Sequence, residues 1–246
     1  MGTRHLIAVF YKGEYRIAQY GQWDGYPSGQ GVDVLKFLRK EMKLPLFHER
    51  LLALREITEA EIDKVNALGD GWQTEYPHLS RDAGSDILLM VQKGVRDNAV
   101  KLYIDFAGDS LYCEYAYVID FDKGTFEIFK GFNTDPVDPS ERFADAKRDN
   151  EKYYPVRFWK SYPLDALPTK AKFLKDLDDS EDESEEDTPE PLPDRETLIE
   201  EALDRLQDAA RSADHLGQEI VGVKTGDLIT ALQQMDLKGM INLDLD

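Results

Sequence analysis

Several short apolar segments of the chain have the composition that is typical of β-strands. Two pairs of them each flank a Gly-containing turn: 6–10 and 15–20 around Lys12-Gly13, and 115–121 and 125–130 around Asp122-Lys123-Gly124. Such pairs predict β-hairpins, because β-branched and aromatic residues fit a pleated sheet and glycine permits a tight turn. A further strand is predicted over 99–108.

Between the hairpins, apolar residues recur at the spacing of α-helices. The pattern predicts helices over 31–43, ended by Pro45, over 58–68, opened by the capping-box sequence T-E-A-E, and over 82–92. A hairpin, helices, a strand and a second hairpin, in that order, indicate an α+β fold. We expect an antiparallel sheet from the two hairpins with covering helices, and an α-β-β-α sandwich is one fold of this kind.

The composition of the chain changes after residue 172 and again after residue 193. Residues 1–172 hold the predicted strands and form the expected α+β domain. Residues 173–193 are acidic and end in prolines, which predicts a disordered linker. Residues 194–246 contain two helical patterns, at 194–216 and 226–236. We expect these C-terminal helices to dock on the main domain, since two short helices alone bury little surface.

Charge is distributed unevenly along the chain. The net charge is −19, yet ten Asp or Glu and no Lys or Arg fall between residues 176 and 190, so the other 231 residues carry −9. Because no basic stripe is present, we expect no binding to nucleic acid and none to an anionic membrane. Ser180 and Ser184 precede acidic residues, as acidophilic kinases prefer, and are candidate phosphorylation sites; a solubilising spacer is the alternative interpretation of this tract.

The sequence has no pattern typical of a metal or cofactor site. Its four His residues are scattered, Cys113 is its one cysteine, and neither a P-loop nor a dinucleotide-binding glycine motif occurs. We therefore expect no metal and no cofactor. A single cysteine, with no apolar run of about 18 residues, is typical of a soluble protein of a reducing compartment, the cytoplasm or the nucleus. The expected partner is a small molecule or another protein.

The most unusual segment is G-Q-W-D-G-Y-P-S-G-Q-G at 21–31, between the first hairpin and the first helix. Its candidate ligand-binding residues are Trp23, Asp24, Tyr26, Gly29 and Gly31. The glycine amides would lie unpaired at a helix start, where they can bind an anion or a polar ligand. The aromatic pair would form an apolar wall, with the aspartate as acceptor or base. The alternative is a rigid connection in which Trp23 belongs to the core and Asp24 caps the turn.

Two further polar residues are expected near this loop. Counting outward from Lys12-Gly13 places His5 opposite Tyr20 and Arg4 opposite Gly21. The predicted polar cluster therefore consists of Arg4, His5, Asp24 and Tyr26. A structural ion pair between Arg4 and Asp24 is the alternative interpretation.

The opening 31 residues, M-G-T-R-H-L-I through W-D-G-Y-P-S-G-Q-G, resemble a group of uncharacterised fungal, bacterial and phage proteins. The group shares an M-G-T-R-x-L opening and a W-D-G-Y-P-x-G-x-G loop. The second hairpin, 114–132, resembles the group more weakly. Since the group has no assigned activity, the resemblance implies a shared fold and no reaction.

The hairpin-first layout also resembles that of the N-terminal-nucleophile hydrolases. This resemblance implies an α-β-β-α sandwich and a nucleophile at the freed N-terminal residue. Removal of Met1 would expose Gly2, which carries no nucleophile, and Thr3 would serve only after a second cleavage.

Two functions are therefore compared. The first is a soluble intracellular binding or regulatory protein, with its site at the loop that runs from Trp23 to Gly31. The second is an amide-bond hydrolase of N-terminal-nucleophile-like architecture, including a degenerate form of such an enzyme.

Overall fold

A five-stranded sheet is the centre of the fold. Its strands are β1 His5–Tyr11, β2 Glu14–Gly21, β5 Tyr115–Asp120, β6 Thr125–Lys130 and β7 Arg157–Pro163, in the order β2-β1-β5-β6-β7. A two-residue parallel pair joins β3 Arg55–Glu56 to β4 Ala99–Val100. The computed structural model describes residues 2–148 and 151–178, all within the first of two units of the chain, Met1–Glu181. The predicted C-terminal helices, Ser180 and Ser184 lie outside the described residues.

Both predicted hairpins are confirmed. The turn residues Lys12 and Gly13 have φ angles of 57° and 78°, as a two-residue turn between twisted antiparallel strands requires. The carboxylate of Asp122, in the second turn, accepts hydrogen bonds from the amides of Lys12 and Gly13 at 2.9 and 2.7 Å. The tips of the two hairpins are therefore tied together.

The register of the first hairpin differs from the predicted one. A β-bulge between Val9 and Phe10 adds one residue to the opposite strand, so His5 lies opposite Gly21 and not Tyr20. The count outward from the turn is thus wrong by one residue. A bulge of this kind leaves no mark in an alternating pattern, because it shifts only the pairing.

The two hairpins meet through β1 and β5, which pair in parallel. The other three pairings of the sheet are antiparallel, so the α+β class is confirmed, with a mostly antiparallel sheet. Parallel strands need a long crossover connection, which here carries most of the helices. Among residues 2–148 and 151–178 the other sheet is the two-residue pair β3–β4, so two facing sheets of a sandwich are not formed there.

Six α-helices occur among the described residues: α1 Val32–Lys36, α2 Leu44–Ala53, α3 Glu59–Asn66, α4 Trp72–Glu75, α5 Asp86–Lys93 and α6 Lys170–Asp176. Turns of π-helix, Pro27–Gly31 and Phe37–Glu41, extend α1 at both ends. Pro45 lies in the first turn of α2 and does not merely end the preceding helix, because the first turn of a helix does not need the N–H that proline lacks. α2 was not predicted.

The strand predicted over 99–108 is wrong after its first two residues. Ala99 and Val100 form β4, Leu102 makes one bridge to Ala18 of the edge strand, and residues Ile104–Gly108 form a 3-10 turn. A Cβ on Gly108 would lie 1.9 Å from the carbonyl oxygen of Lys147. This close approach of two backbones requires glycine, so the segment folds against its neighbours instead of extending.

Apolar side chains cover the sheet on both faces. On one face, Ile7 and Tyr117 pack among residues of α1, α2, α5 and α6. On the other face, Leu6 and Val118 pack under irregular segments that include Phe143. Successive residues of a strand point to opposite faces, and each strand of the central pair therefore contributes to both cores.

The folded part of the chain continues beyond the boundary predicted at residue 172. Helix α6 begins after Thr169, whose hydroxyl accepts a hydrogen bond from the amide of Lys172. Phe173 and Leu177 are buried on the helix-covered face of the sheet. Both apolar residues stand at the start of the mostly acidic stretch 173–193, so its overall composition does not indicate that they pack on the sheet.

A buried ion cluster closes the second face near the hairpin tips. Arg142 donates from Nε to Glu127 at 2.6 Å and from Nη2 to Asp120. All three side chains are at most 8 % exposed. Nη1 of Arg142 also lies 3.4 Å from the hydroxyl of Tyr15, which accepts its hydrogen bond. The cluster fixes the irregular segment around Arg142 to β5, β6 and β2.

A small separate core lies beside α3. It consists of Ile57, Val65 and Ala99, with Trp72 and Leu79 packed against it. α3 begins with the predicted capping box: Thr58 accepts a hydrogen bond from the amide of Glu61, and the carboxylate of Glu61 accepts one from the amide of Thr58. The sequence prediction of this helix is confirmed.

Replacing Thr58 with alanine is expected to lower the free energy of unfolding by about 1 kcal/mol, because one amide of the first turn of α3 loses its acceptor. Urea denaturation followed by circular dichroism measures the loss. Thr74→Ala, at an exposed position of α4, serves as the matched control. A loss equal to that of the control would contradict the assignment of the cap.

Candidate functional site

The loop that follows β2 is closed by its own hydrogen bonds. The carbonyl of Tyr26 accepts from the amides of Gly29 and Gly31 (3.0 and 3.3 Å), and the carbonyl of Asp24 accepts from the amide of Gln30 (2.9 Å). A Cβ on Gly29 would lie 2.4 Å from the Asp24 carbonyl oxygen, so close packing explains this glycine. The prediction of unpaired amides at Gly29 and Gly31 is wrong.

Trp23 is half-exposed, and its indole N–H donates to the carboxylate of Asp82 at 2.9 Å. Since 48 % of its surface is accessible, Trp23 is not a core residue. The rigid-connection alternative placed Trp23 in the core and is wrong on this point. Asp24 has a positive φ of 56°, and its exposed carboxylate makes no hydrogen bond or ion pair with the described residues. The carbonyl of Asp24, not its side chain, closes the turn.

Arg4 and His5 do not join Asp24 in one polar cluster. The Arg4 guanidinium lies over the ring of Tyr112, with Cζ 4.9 Å from its centroid, and the Arg4 amide donates to Glu114 at 3.1 Å. No ion pair between Arg4 and Asp24 occurs within the described ranges, so this alternative is also wrong. His5 lies on the helix-covered face of the sheet, where its ring packs on Gly21.

His5 is fully buried beneath the loop. A Cβ on Gly21 would lie 2.2 Å from the ring of His5, so glycine is required opposite it. Burial lowers the pKa of His5 from 6.5 to about 4, and the carbonyl of Thr3 opposes this only in part. The Thr3 carbonyl lies near the His5 ring but outside hydrogen-bond geometry, and it accepts its hydrogen bond from the amide of Gly25; neither ring nitrogen of His5 has a hydrogen-bond partner in the described structure. A neutral imidazole is therefore enclosed at this end of the sheet.

Thr3, the nucleophile of the hydrolase interpretation, is enclosed at the same place. Only 4 % of its surface is exposed. The preceding residue, Gly2, packs on the Trp23 ring so closely that a Cβ would lie 2.3 Å from it. A substrate therefore has no access to Thr3 in this conformation, and the hydrolase interpretation stays a prediction.

Tyr26 belongs to a row of aromatic rings at the end of the sheet. Its ring lies 6.2 Å from that of Tyr115, which lies 6.3 Å from that of Trp159. A β-bulge in the pairing of β6 with β7 aims Trp159 at this row, where Lys130 lies 4.9 Å over its ring. Tyr26 thus packs on other aromatic residues and not with Asp24.

A cleft of about 510 Å³ lies beside the segment 80–82, which Trp23 contacts through Asp82. One wall is the small core beside α3, represented by Val65 and Leu79. The opposite wall is formed by Tyr20, on the edge strand β2, and by Tyr103. Trp72 of α4 also lines the cleft and is half-buried. Three aromatic side chains from distant segments therefore line one cavity.

The polar residues of the cleft are cationic or neutral. Arg81 and Lys101 line it together with the exposed amide side chains of Asn66 and Gln73, and no Asp or Glu is among the described lining residues. The Lys101 ammonium lies 5.0 Å over the ring of Tyr103. Neither cation makes an ion pair with the described residues. In a chain with 49 acidic and 30 basic residues, such a cluster is unusual.

The loop and the cleft share the segment 80–82. The amide of Gln22 donates to the carbonyl of Arg81 at 3.1 Å, next to the bond between Trp23 and Asp82. The side chain of Gln19 donates to the carbonyl of Ser80 at 2.9 Å. β2 and the loop after it therefore hold the backbone that positions one wall of the cleft.

Comparison with protein-family models, with curated proteins and with solved structures finds no match. Within residues 2–148 and 151–178, no group of three or more His, Cys, Asp or Glu side chains is arranged to hold a metal ion. No helix in the same residues has the length and apolar character to cross a bilayer.

Sequence reasoning missed the cleft. Its residues come from β2, from α3 and α4, and from the segments around Arg81 and Lys101, which no motif connects. The available signal was electrostatic: Arg81 and Lys101 are basic residues in an acidic chain. That signal identifies a site only after folding has brought the two residues together.

Proposed function

We propose that the protein binds a small molecule in the cleft between β2 and the small core beside α3. The observation that carries the proposal is the lining of this cleft: aromatic and apolar walls from distant segments, with a few polar side chains among them. Small-molecule sites have this composition, and their volumes are about 300–1,000 Å³. The volume of about 510 Å³ falls in that range.

Binding without catalysis is the function that the lining supports best. The described lining residues include no carboxylate, imidazole or thiol for general acid–base or nucleophilic catalysis. Ser80 is 7 % exposed; its hydroxyl accepts a hydrogen bond from the amide of Asp82 and makes a long contact, 3.5 Å, with the Asp82 carboxylate, which itself accepts from the indole of Trp23. Cys113 lies elsewhere in the fold, and burial raises the pKa of its thiol well above the usual range.

In this proposal the loop from Trp23 to Gly31 supports the cleft through the segment 80–82. Its direct participation in binding remains the earlier prediction, with Trp23, Asp24 and Tyr26 as the half-exposed or exposed residues that a ligand or protein partner could reach. No described residue favours the hydrolase alternative over binding.

The three tryptophans of the chain allow a direct test. A ligand that stacks on Trp72 is expected to quench its fluorescence. We would titrate nucleosides, nucleotides, aryl carboxylates and aryl amides into the wild type and into Trp72→Phe, Trp23→Phe and Trp159→Phe. Loss of the quenching in Trp72→Phe alone is the expected result.

Two outcomes would count against the cleft. Quenching that is lost in Trp23→Phe and kept in Trp72→Phe would move the site to the loop. If no compound of the panel quenches fluorescence or raises the melting temperature, binding of small ring compounds in the cleft is disproved. A ligand present at about 100 times its Kd should stabilise the fold by about 2.7 kcal/mol, which a thermal shift detects readily.

A further inference from the structure

We infer that the ligand of this cleft is a flat ring compound that carries a negatively charged group, either a carboxylate or a phosphate. The inference rests on the proposed function and adds the chemical class of the ligand. Its two parts, the charge and the ring, follow from different residues of the lining.

The charge follows from Arg81 and Lys101. Both line the cleft, and neither has a carboxylate partner among residues 2–148 and 151–178. The neighbour of Lys101 is the ring of Tyr103, which attracts a cation without neutralising it. A carboxylate or phosphate accepts charge-assisted hydrogen bonds from guanidinium and ammonium groups, and these are stronger than bonds between neutral partners.

The acidic surface makes this local charge selective. The chain carries a net charge of −19, so an anion is repelled by most of the protein at long range. A cleft with two cations and no described acidic side chain is therefore a place where an anion is favoured. A neutral ligand can accept hydrogen bonds from these two side chains but lacks the charge attraction that an anion adds.

The ring follows from Trp72, Tyr20 and Tyr103. The rings of Tyr20 and Tyr103 lie 6.1 Å apart at 52°, and Trp72 faces the cleft from α4. Aromatic walls favour flat apolar groups, which they contact by stacking or edge-on packing. The exposed amides of Asn66 and Gln73 supply both donors and acceptors for polar atoms on the edge of such a ring.

The test compares each anion with its neutral counterpart. Titration calorimetry of the full chain would use AMP against adenosine, and benzoate against benzamide. We expect the anionic member of at least one pair to bind about tenfold or more tightly than its neutral partner, since charge-assisted hydrogen bonds are roughly twice as strong as neutral ones. Binding of AMP and not benzoate assigns a phosphate, and the reverse assigns a carboxylate.

Charge-removing variants locate the effect. Arg81→Gln and Lys101→Gln should each weaken binding of the anion about tenfold and leave the melting temperature unchanged, because both side chains are at least partly exposed. The matched controls are Arg157→Gln and Lys93→Gln, at exposed positions outside the lining, and they should bind as the wild type does.

The results separate the ligand class from the proposed function. Equal binding of anionic and neutral members, with quenching at Trp72, overturns the anionic class and leaves small-molecule binding in place. If the control variants lose as much affinity for the anion as the cleft variants do, the anionic class is also overturned. The loss would then come from the net charge of the protein and not from Arg81 and Lys101. Absence of binding by all four compounds, together with no quenching in the wider panel, overturns both proposals.

Discussion

Replacing Arg142 with methionine is expected to lower the free energy of unfolding by about 3–5 kcal/mol, which is a large part of the stability of a typical domain. The substitution removes the guanidinium from Asp120 and Glu127, which stay buried at 1 % and 8 % side-chain exposure; of the described cations, Glu127 keeps only the exposed ammonium of Lys123, 3.8 Å away. Asp120 keeps the hydrogen bonds from the amides of Asp122 and Lys123, but its charge has no counter-ion at this distance. The loss is measured by urea denaturation at neutral pH.

Burial acts to lower the pKa of Arg142, but its hydrogen bonds to Glu127, Tyr15 and Asp120 outweigh burial and raise the pKa above the usual range. The guanidinium is thus charged at every pH at which the protein folds. The cluster is therefore sensitive to removal of any one charged partner.

A rescue experiment distinguishes buried charge from lost packing. Neutralising the partners, with Asp120→Asn and Glu127→Gln in the Arg142→Met background, should recover more than half of the loss, since no uncompensated charge then remains. Arg96→Met is the control: its ion pair with Glu75 is half-exposed at both ends, so the change should cost far less than Arg142→Met. A small loss in Arg142→Met, equal to the control, would mean that water screens the cluster.

The stability of the protein is expected to fall as the pH decreases from 6.5 to 4, because His5 must take up a proton that its buried site disfavours. In the unfolded chain the imidazole has its usual pKa of 6.5, whereas in the fold the pKa is about 4. The unfolded state therefore binds more protons across this window. The contribution is complete above pH 6.5 and lost below pH 4, and it amounts to about 3 kcal/mol, since one pKa unit corresponds to about 1.4 kcal/mol.

Other groups also titrate in this range, so the prediction concerns the difference in pH dependence between the wild type and variants that lack His5. Burial lowers the pKa of His48 and of His78 as well, and both act in the same direction as His5. We would measure the free energy of unfolding at several pH values for the wild type, His5→Phe and His5→Leu. Both variants should show a weaker pH dependence between pH 6.5 and 4. An unchanged slope in both would show that His5 is not the group that titrates.

The accuracy of the sequence predictions follows the range of the interactions that decide each element. The hairpin turn at Lys12-Gly13 and the capping box at Thr58 depend on residues within a few positions, and both are confirmed. The register of β1 and β2 depends on a bulge that the alternation does not record. The parallel pairing of β1 with β5 depends on tertiary packing, and no local pattern predicts it.

The residues of the candidate site are harder to predict from sequence than the elements of the fold, because they depend more on distant contacts. The composition of the loop drew attention to Trp23 and Asp24, yet its glycines serve close packing against Asp24, Tyr117 and His5. Strand geometry separates Arg4 from His5, because successive residues of a strand point to opposite faces. The cleft requires Tyr20, Trp72 and Lys101 to meet, and these residues are far apart in the sequence.

The parallel contact between β1 and β5 also determines when the protein can fold. Residues 5–10 pair with residues 115–120, so the centre of the sheet cannot form before more than a hundred residues have left the ribosome. Until then, the first hairpin presents an unpaired and almost wholly apolar edge, which other chains can join. Closing so long a connection also slows folding, because its entropy must be lost before the central contacts stabilise the chain. The edge of β1 is therefore left without its partner strand until the second hairpin has been synthesised.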